Sequence, residues 1–322
     1  MTTRFLKVRM GRAVGASPTT ARRNALEASH LAVRMFHVGH GEAILIVFPG
    51  RRAWLIDAGC TNGKNKNEIL GNRILDHLDE NDLFLEAIIP THPHADHTLA
   101  MQSVLELESD RVAEPMTLYR SDDPAWDLNQ DPKWIAKFRK AVKPFVQEEV
   151  FKDSLWEIPT PVGANAECLM FSGGKTTKQY RSLFVYLRFH RARFLFTGDA
   201  TKKYERDLIF GFDQFDFSAD VLKVTHHGSE HGTDPSVLNA VNPGIAIAST
   251  GPDEGHRLEQ VTLDELNDNN ARVFETLVDG DITLQTDGLP FKKGVLFKVI
   301  TETPGEFASE LGTSIDPTGG RP

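Results

Sequence analysis

The chain has 322 residues, 40% of them hydrophobic and 25% charged, with a formal net charge of −9. That composition supports a full core in one large domain or two small ones, and the acidic balance tells against non-specific wrapping of nucleic acid. No run of eighteen apolar residues exists to span a membrane, and two cysteines, Cys60 and Cys168, exclude a disulfide framework, so a reducing, cytoplasmic setting is expected.

Residues 1–30 carry six Arg or Lys and the single acidic Glu27, without the apolar stretch of a secretion signal, and fit a basic flexible tail. Strand signals begin at Leu31–His37 and pass through Gly39 and Gly41 into Ala43–Phe48. After the turn at Pro49-Gly50, a strand over Ala53–Ile56 ends on Asp57-Ala58-Gly59. Glu68–Leu78 places Ile69, Leu70, Ile74, Leu75 and Leu78 on one helical face. Leu83–Ile89 is an apolar strand stopped by Pro90, and Leu99–Leu107 a helix packed behind the loop between them. From Arg111 to Phe171 the pattern weakens. Asp131 caps a helix with Pro132 in its first turn, running to about Val150 with a break near Pro144, and Ser154–Asn165 has the character of a connecting loop. Strands return at Ser182–Phe189, Arg193–Phe196, Val221–Val224 and Gly244–Ser249, interleaved with helices over Lys202–Ile209, Pro235–Ala240 and Thr262–Asn269. Short strands over Arg272–Thr276 and Asp281–Thr286 close a domain of residues 31–302, and residues 303–322 fit a disordered tail. Strands and helices in this order, with polar loops at strand ends, satisfy the layer logic of an α/β sandwich.

Chemistry concentrates in the loop Thr91-His92-Pro93-His94-Ala95-Asp96-His97. Alternate histidines put two imidazoles on the same side of an extended chain, and Asp96 with His97 turns toward a second point. Imidazole and carboxylate together suit zinc, manganese or iron, whereas a merely solvated loop has no need of that spacing. Asp199 follows the apolar strand Arg193–Phe196. Alone it would be an ordinary turn residue; beside the histidine loop it is a candidate metal ligand.

These motifs, together with His37-Val38-Gly39-His40-Gly41-Glu42-Ala43, Leu55–Gly59, Phe196-Thr197-Gly198-Asp199, His226-His227-Gly228-Ser229 and Gly255-His256, resemble the metallo-β-lactamase fold. Within it the chain looks most like the hydrolase domain of the ComEC/Rec2 DNA-uptake proteins, over about residues 31–300. The resemblance implies an αββα sandwich and two divalent ions, zinc or manganese. His92 and His94 go to one ion, Asp96 and His97 to the other, with Asp199 bridging and one of His226 and His227 completing the second. It also places His256 toward the active site, so that Asp96, His256 and His226 are the expected catalytic groups. Asp57, His40, Ser182 and Ser229 are expected behind the ligands or against substrate. Bound metal lowers the pKa of water to roughly 7 and neutralises growing charge on phosphoryl or acyl oxygens, so hydrolysis is the expected reaction. The expected substrate is a phosphodiester, with DNA or RNA as the partner. A small phosphoester, lactone or thioester is the alternative, and a non-catalytic binding module the third reading. Lys175, Lys178, Arg181, Lys202 and Lys203 are candidates for a local basic rim.

Two departures stand out. Many members of the fold supply a histidine to the first ion between the two metal motifs; here only His190 falls in that interval, just ahead of the Thr197-Gly198-Asp199 strand, and Ser182 occupies a region where ComEC-like members also lack it. Where ComEC domains commonly have D-V-G-Q-G-D, this chain has His37, His40 and Glu42. We therefore expect His40 to lean over the site and replace the missing ligand or bind substrate. Metal content and activity of His40→Ala check this: a change in either supports the role, and unchanged values of both remove it.

Overall fold

The computed structural model describes residues 2–7, 29–61, 65–107, 109–123, 126, 133–142, 146–151, 154–172, 182–252, 256–291 and 294–302. Most of the N-terminal stretch, residues 303–322, Lys175, Lys178, Arg181 and Gly255 lie outside those residues. The strands are β1 (Thr2–Lys7), β2 (Leu31–Met35), β3 (Gly41–Phe48), β4 (Arg52–Cys60), β5 (Phe84–Ile89), β6 (Val112–Ser121), β7 (Val146–Phe151), β8 (Ser154–Ile158), β9 (Ala166–Ser172), β10 (Phe184–Phe189), β11 (Ala192–Phe196), β12 (Val221–Lys223), β13 (Ile245–Ala248), β14 (Arg272–Glu275), β15 (Ile282–Thr286), β16 (Pro290–Phe291) and β17 (Gly294–Thr301). The helices are α1 (Lys66–Glu80), α2 (Ala95–Glu106), α3 (Lys133–Val142), α4 (Lys202–Gly211), α5 (Pro235–Val241), α6 (Gln260–Asp268) and the single turn α7 (Thr276–Asp279).

Two sheets form, in the orders β1-β17-β15-β2-β3-β4-β5-β6-β7 and β14-β13-β12-β11-β10-β9-β8, with β16 on β17. The alternation of side chains along a strand sorts their residues into layers. Ile44 and Ile46 of β3 face Phe194, Phe196, Val221 and Ile245 of the other sheet in the inter-sheet core. Ala43 and Leu45 face outward onto Leu70 and Ile74 of α1 and Met101 and Val104 of α2. On the far side, Leu195, Leu222 and Ala246 pack against Tyr204 and Leu208 of α4, Leu238 of α5 and Leu266 of α6. Each sheet is covered on both faces, and the molecule is the expected αββα sandwich.

Four stretches differ from the sequence-based expectation. The helix over residues 133–142 ends before Pro144, and Val146–Phe151 pairs in parallel with β6; the residue before a proline disfavours helix, and an open sheet edge captures the chain beyond it. Ser154–Ile158, expected as loop, pairs antiparallel with β9. Thr2–Lys7, expected within a tail, pairs with β17; a backbone ladder on an open edge needs no apolar pattern. Finally, α2 begins at Ala95 rather than Leu99, so Asp96 and His97 occupy its first turn.

Two buried carboxylates hold these layers near the polar loops. Asp281, 4% exposed, accepts from Arg34 Nη2 of β2 at 2.7 Å, Arg73 Nη2 of α1 at 2.9 Å and the His37 backbone N–H at 2.7 Å. Glu205 of α4 accepts from Thr225 Oγ1 at 2.6 Å and from the Asp234 N–H at the start of α5 at 2.7 Å. Burial raises the Glu205 pKa to about 7, against the hydrogen bonds from Thr225 and Asp234; the Asp234 charge adds to the rise and Lys202 opposes it.

Asp281→Asn leaves two guanidiniums without their common anion and is expected to cost about 3–5 kcal/mol in urea unfolding; a loss below about 1 kcal/mol would show the cluster to be incidental. For Glu205, a folded pKa above the unfolded one makes stability fall as pH rises from the unfolded value of 4.5 through about 7. A glutamine can accept from Asp234 while donating to Thr225 Oγ1 and stays neutral throughout. Glu205→Gln is therefore expected to be more stable than the parent at pH 8, by up to about 3 kcal/mol, with the gap nearly closed at pH 5. An equal difference at both pH values would overturn this.

Candidate metal centre

The polar loops gather at one edge of the sandwich, and backbone geometry aims each side chain there. The register of β3 with β4 skips Asp57, which bulges with φ 49° between the paired Ile56 and Ala58. Its buried carboxylate accepts from the Thr91 N–H and Thr91 Oγ1, each at 2.7 Å, and lies 2.8 Å from His97 Nδ1. Gly59 next to it lets the β4 backbone run against the start of α2: a β-carbon there would come within 2.5 Å of the Ala95 carbonyl oxygen. The turn after β11 places Gly198 at φ 55°, where a β-carbon would lie 2.6 Å from Thr91 Oγ1, and Ser182 Oγ accepts from the Asp199 N–H at 3.1 Å.

After β12, a 3-10 turn over Thr225–Gly228 carries His226 and His227 at φ 53° and 56°. Two consecutive non-glycine residues in the left-handed region are strained, at roughly 1–3 kcal/mol each, and they split the pair. His227 is buried with Nδ1 3.1 Å from the Ser249 carbonyl oxygen and Nε2 3.1 Å from Asp199 Oδ2. His226 turns the other way, half-buried, and its Nδ1 has no hydrogen-bond partner.

Ligand-type atoms of Asp96, His97, Asp199 and His227 all lie within 4.8 Å of one another. His97 Nε2 is 3.2 Å from Asp199 Oδ2 and 3.7 Å from Asp96 Oδ2. His92 is fully buried beside them, its ring centroid 4.2 Å from that of His97 and 4.4 Å from that of His94. Its Nδ1 rests 3.1 Å from Thr91 Oγ1 while Nε2 has no hydrogen-bond partner. His97, His227 and His92 thus share one feature, an Nδ1 engaged by the scaffold, as metal-ligating imidazoles are held; the Nε2 atoms of His97 and His227 face Asp199 Oδ2, and that of His92 has no partner.

His256 Nε2 stands 3.6 Å from Asp96 Oδ2, and the His40 ring lies on His256 with centroids 3.2 Å apart. Ser229 is occupied within its own loop, its Oγ accepting from the His231 N–H at 3.3 Å. His190 lies in the exposed turn between β10 and β11, at the end of β11 away from Asp199. Lys202 and Lys203 lie 3.8 Å from Glu265 and 2.5 Å from Asp207, so neither forms an uncommitted basic rim.

The charges fit a cation. Glu42, Asp57, Asp96 and Asp199 bring four carboxylates to one centre, and the buried Lys223 supplies one ammonium, leaving three negative charges. One divalent ion leaves one negative charge there and two leave one positive, with neutral imidazoles completing the coordination. Side-chain proton affinities carry the same imbalance. Burial works against charging His97, yet Asp199, Asp57 and Asp96 hold its pKa well above the usual imidazole value. Burial likewise opposes charge on His227, and Asp199 and Asp96 raise it to about 9. Burial lowers His92, His94 and His226, leaving them neutral.

Sequence reasoning missed four contributors: Thr91, Ser249, Lys223 and the buried Asp123, whose charge bears on His94. Lys223 carried a readable signal, since a cation inside the apolar run Val221–Val224 needs a buried anion.

The sequence model of the Metallo-beta-lactamase superfamily matches residues 38–165. The chain is 32% identical over 107 residues to ComE operon protein 3 of Bacillus subtilis (strain 168), covering 33% of this chain but only 14% of that protein. Among solved structures, the CmlA beta-hydroxylase E377D mutant aligns with a TM-score of 0.51 at 14% identity, over 79% of this chain and 53% of that one. The metallo-beta-lactamase fold protein YhfI from Bacillus subtilis aligns at 0.48 and 11% identity, over 78% and 98%. Residues 38–165 match the Metallo-beta-lactamase superfamily model, and the four-layer sandwich is similar in fold to the solved structure that aligns at a TM-score of 0.51.

Proposed function

We propose that the protein is a metal-dependent phosphodiesterase acting on nucleic acid, DNA or RNA. The observation that carries the hydrolytic part is the convergence of the His97 and His227 Nε2 atoms on the Asp96 and Asp199 carboxylates, with the unpartnered Nε2 of the buried His92 ring packed beside His97. His92 and His94 would hold one divalent ion and Asp96, His97 and His227 a second, with Asp199 shared. When bound, such ions neutralise charge developing on phosphoryl oxygens and lower the pKa of water to roughly 7. The protein's own groups do the rest. Asp57 and Ser249 fix which imidazole nitrogen faces the centre. His256, partly exposed beside Asp96, can hold or release a proton at Nε2 next to a bound phosphate. His226 is a half-buried neutral imidazole able to donate a hydrogen bond to a phosphate oxygen.

Resemblance to the ComEC/Rec2 hydrolase domain, and the local match to ComE operon protein 3, support a nucleic-acid substrate. The net charge of −9 and the commitment of Lys202 and Lys203 to carboxylates favour a second reading, hydrolysis of a small phosphoester. Incubation with linear and circular DNA, RNA and a generic phosphodiester, with manganese or zinc added in turn, separates them. A nuclease is expected to lose affinity steeply with added salt as phosphate contacts are screened; cleavage of the small substrate alone, insensitive to salt, would replace that reading with the second. Asp96→Ala and Asp199→Ala are each expected to lower turnover more than about a hundredfold, beyond what loss of an outer partner of a ligand does. Full activity in both would end the hydrolase reading.

A further inference from the structure

Lys223 is the most unusual side chain of the centre. It ends β12 at 1% exposure, and its Nζ meets three oxygens: Glu42 Oε2 at 2.7 Å, the Gly198 carbonyl at 2.8 Å and Asp199 Oδ1 at 3.4 Å. Glu42, from β3 of the opposite sheet, is equally buried. The two oxygens of Asp199 are thereby given different tasks. Oδ1 faces the ammonium, while Oδ2 lies 3.2 Å from His97 Nε2 and 3.1 Å from His227 Nε2.

We propose that Lys223, itself held by Glu42, is a positioning residue that turns Asp199 so that only Oδ2 is offered to a cation. This rests on the metal-centre reading above. A free carboxylate rotates readily; an ammonium on Oδ1 holds it in one orientation, so that Oδ2 alone would be offered to a bound cation. Glu42 makes the arrangement tolerable, because an ammonium buried with only one distant carboxylate would carry a large desolvation cost. It also accounts for glutamate in the His37–Ala43 motif: from β3, its carboxylate reaches across the inter-sheet space to the end of β12.

Net charge and orientation predict opposite effects for loss of Lys223 alone. Removing a positive charge strengthens attraction for a cation, whereas losing the orientation of Asp199 weakens binding. The variant that separates them is Glu42→Leu with Lys223→Met, which removes one charge of each sign and keeps the net charge of the centre. Replacing a buried ion pair with apolar groups of similar volume is generally compatible with folding, and thermal unfolding of the variant verifies it. The probe is Co(II) added to metal-free protein, followed by equilibrium binding and by the visible absorption of the bound ion, whose intensity reports coordination number.

The parent is expected to bind Co(II), and the folded double variant to bind it at least about tenfold more weakly, with an altered visible spectrum. Lys223→Met alone is expected to weaken binding as well, despite the more negative centre. Parental affinity and spectrum in the double variant, or tighter binding in Lys223→Met, would overturn the positioning role while leaving the metal centre intact. A parent protein that takes up no Co(II), zinc or manganese would overturn both readings together.

Discussion

Four carboxylates in one poorly hydrated pocket are the constraint on which the rest of this structure turns. Glu42 and Asp57 come from the first sheet, Asp96 from the first turn of α2, and Asp199 from the turn after β11 of the second sheet. Like charges held this close repel strongly where water cannot screen them. Two features nearby answer that repulsion: a lysine buried to 1% exposure and imidazoles whose Nε2 atoms face Asp199. The two-sheet sandwich makes the gathering possible, since the ends of β5, β11, β12 and β13 meet at one edge while their apolar faces fill three separate cores.

Legibility in the sequence follows the range of the interactions involved. The histidine loop was readable because its meaning lies in local spacing beside a strand that ends at a proline. Asp199 needed company to be noticed, and the company lay more than a hundred residues earlier. The choice between His226 and His227 was beyond reach, because it depends on two left-handed backbone angles that adjacent histidines do not advertise. Glu42 was visible only as a departure from the family pattern, and its meaning required Lys223, 181 positions later. Strands β7 and β8 were misjudged for a related reason: their residues carry little periodicity, and pairing at a sheet edge decided their conformation.

The two halves of the centre are unequally prepared. On the Asp96–His97–His227 side, each imidazole is pinned by a partner from the scaffold, His97 by Asp57 at 2.8 Å and His227 by Ser249 at 3.1 Å, and Asp199 has one oxygen turned toward Lys223. On the other side, His92 is held as His227 is, by the Thr91 hydroxyl at 3.1 Å, but His94 sits half-buried at the N-cap of α2 without a side-chain capping bond. His190, the one histidine between the two metal motifs, is in a remote turn.

Preorganisation governs how much conformational freedom a ligand set must surrender on binding. Side chains already locked by packing and hydrogen bonds lose little, and those held by one contact lose more. The backbone strain stored at His226-His227 is consistent with this division, since it serves to deliver His227 to the pinned side and leaves His226 at the rim. On the proposed two-ion reading the scaffold would grade affinity within the centre, the tighter half being the one where both sheets contribute, through Asp57 of β4 on one flank and Lys223 of β12 on the other. A cation seated there would reduce the surplus negative charge that attracts a second, so on that reading electrostatics would widen the gap that preorganisation opens.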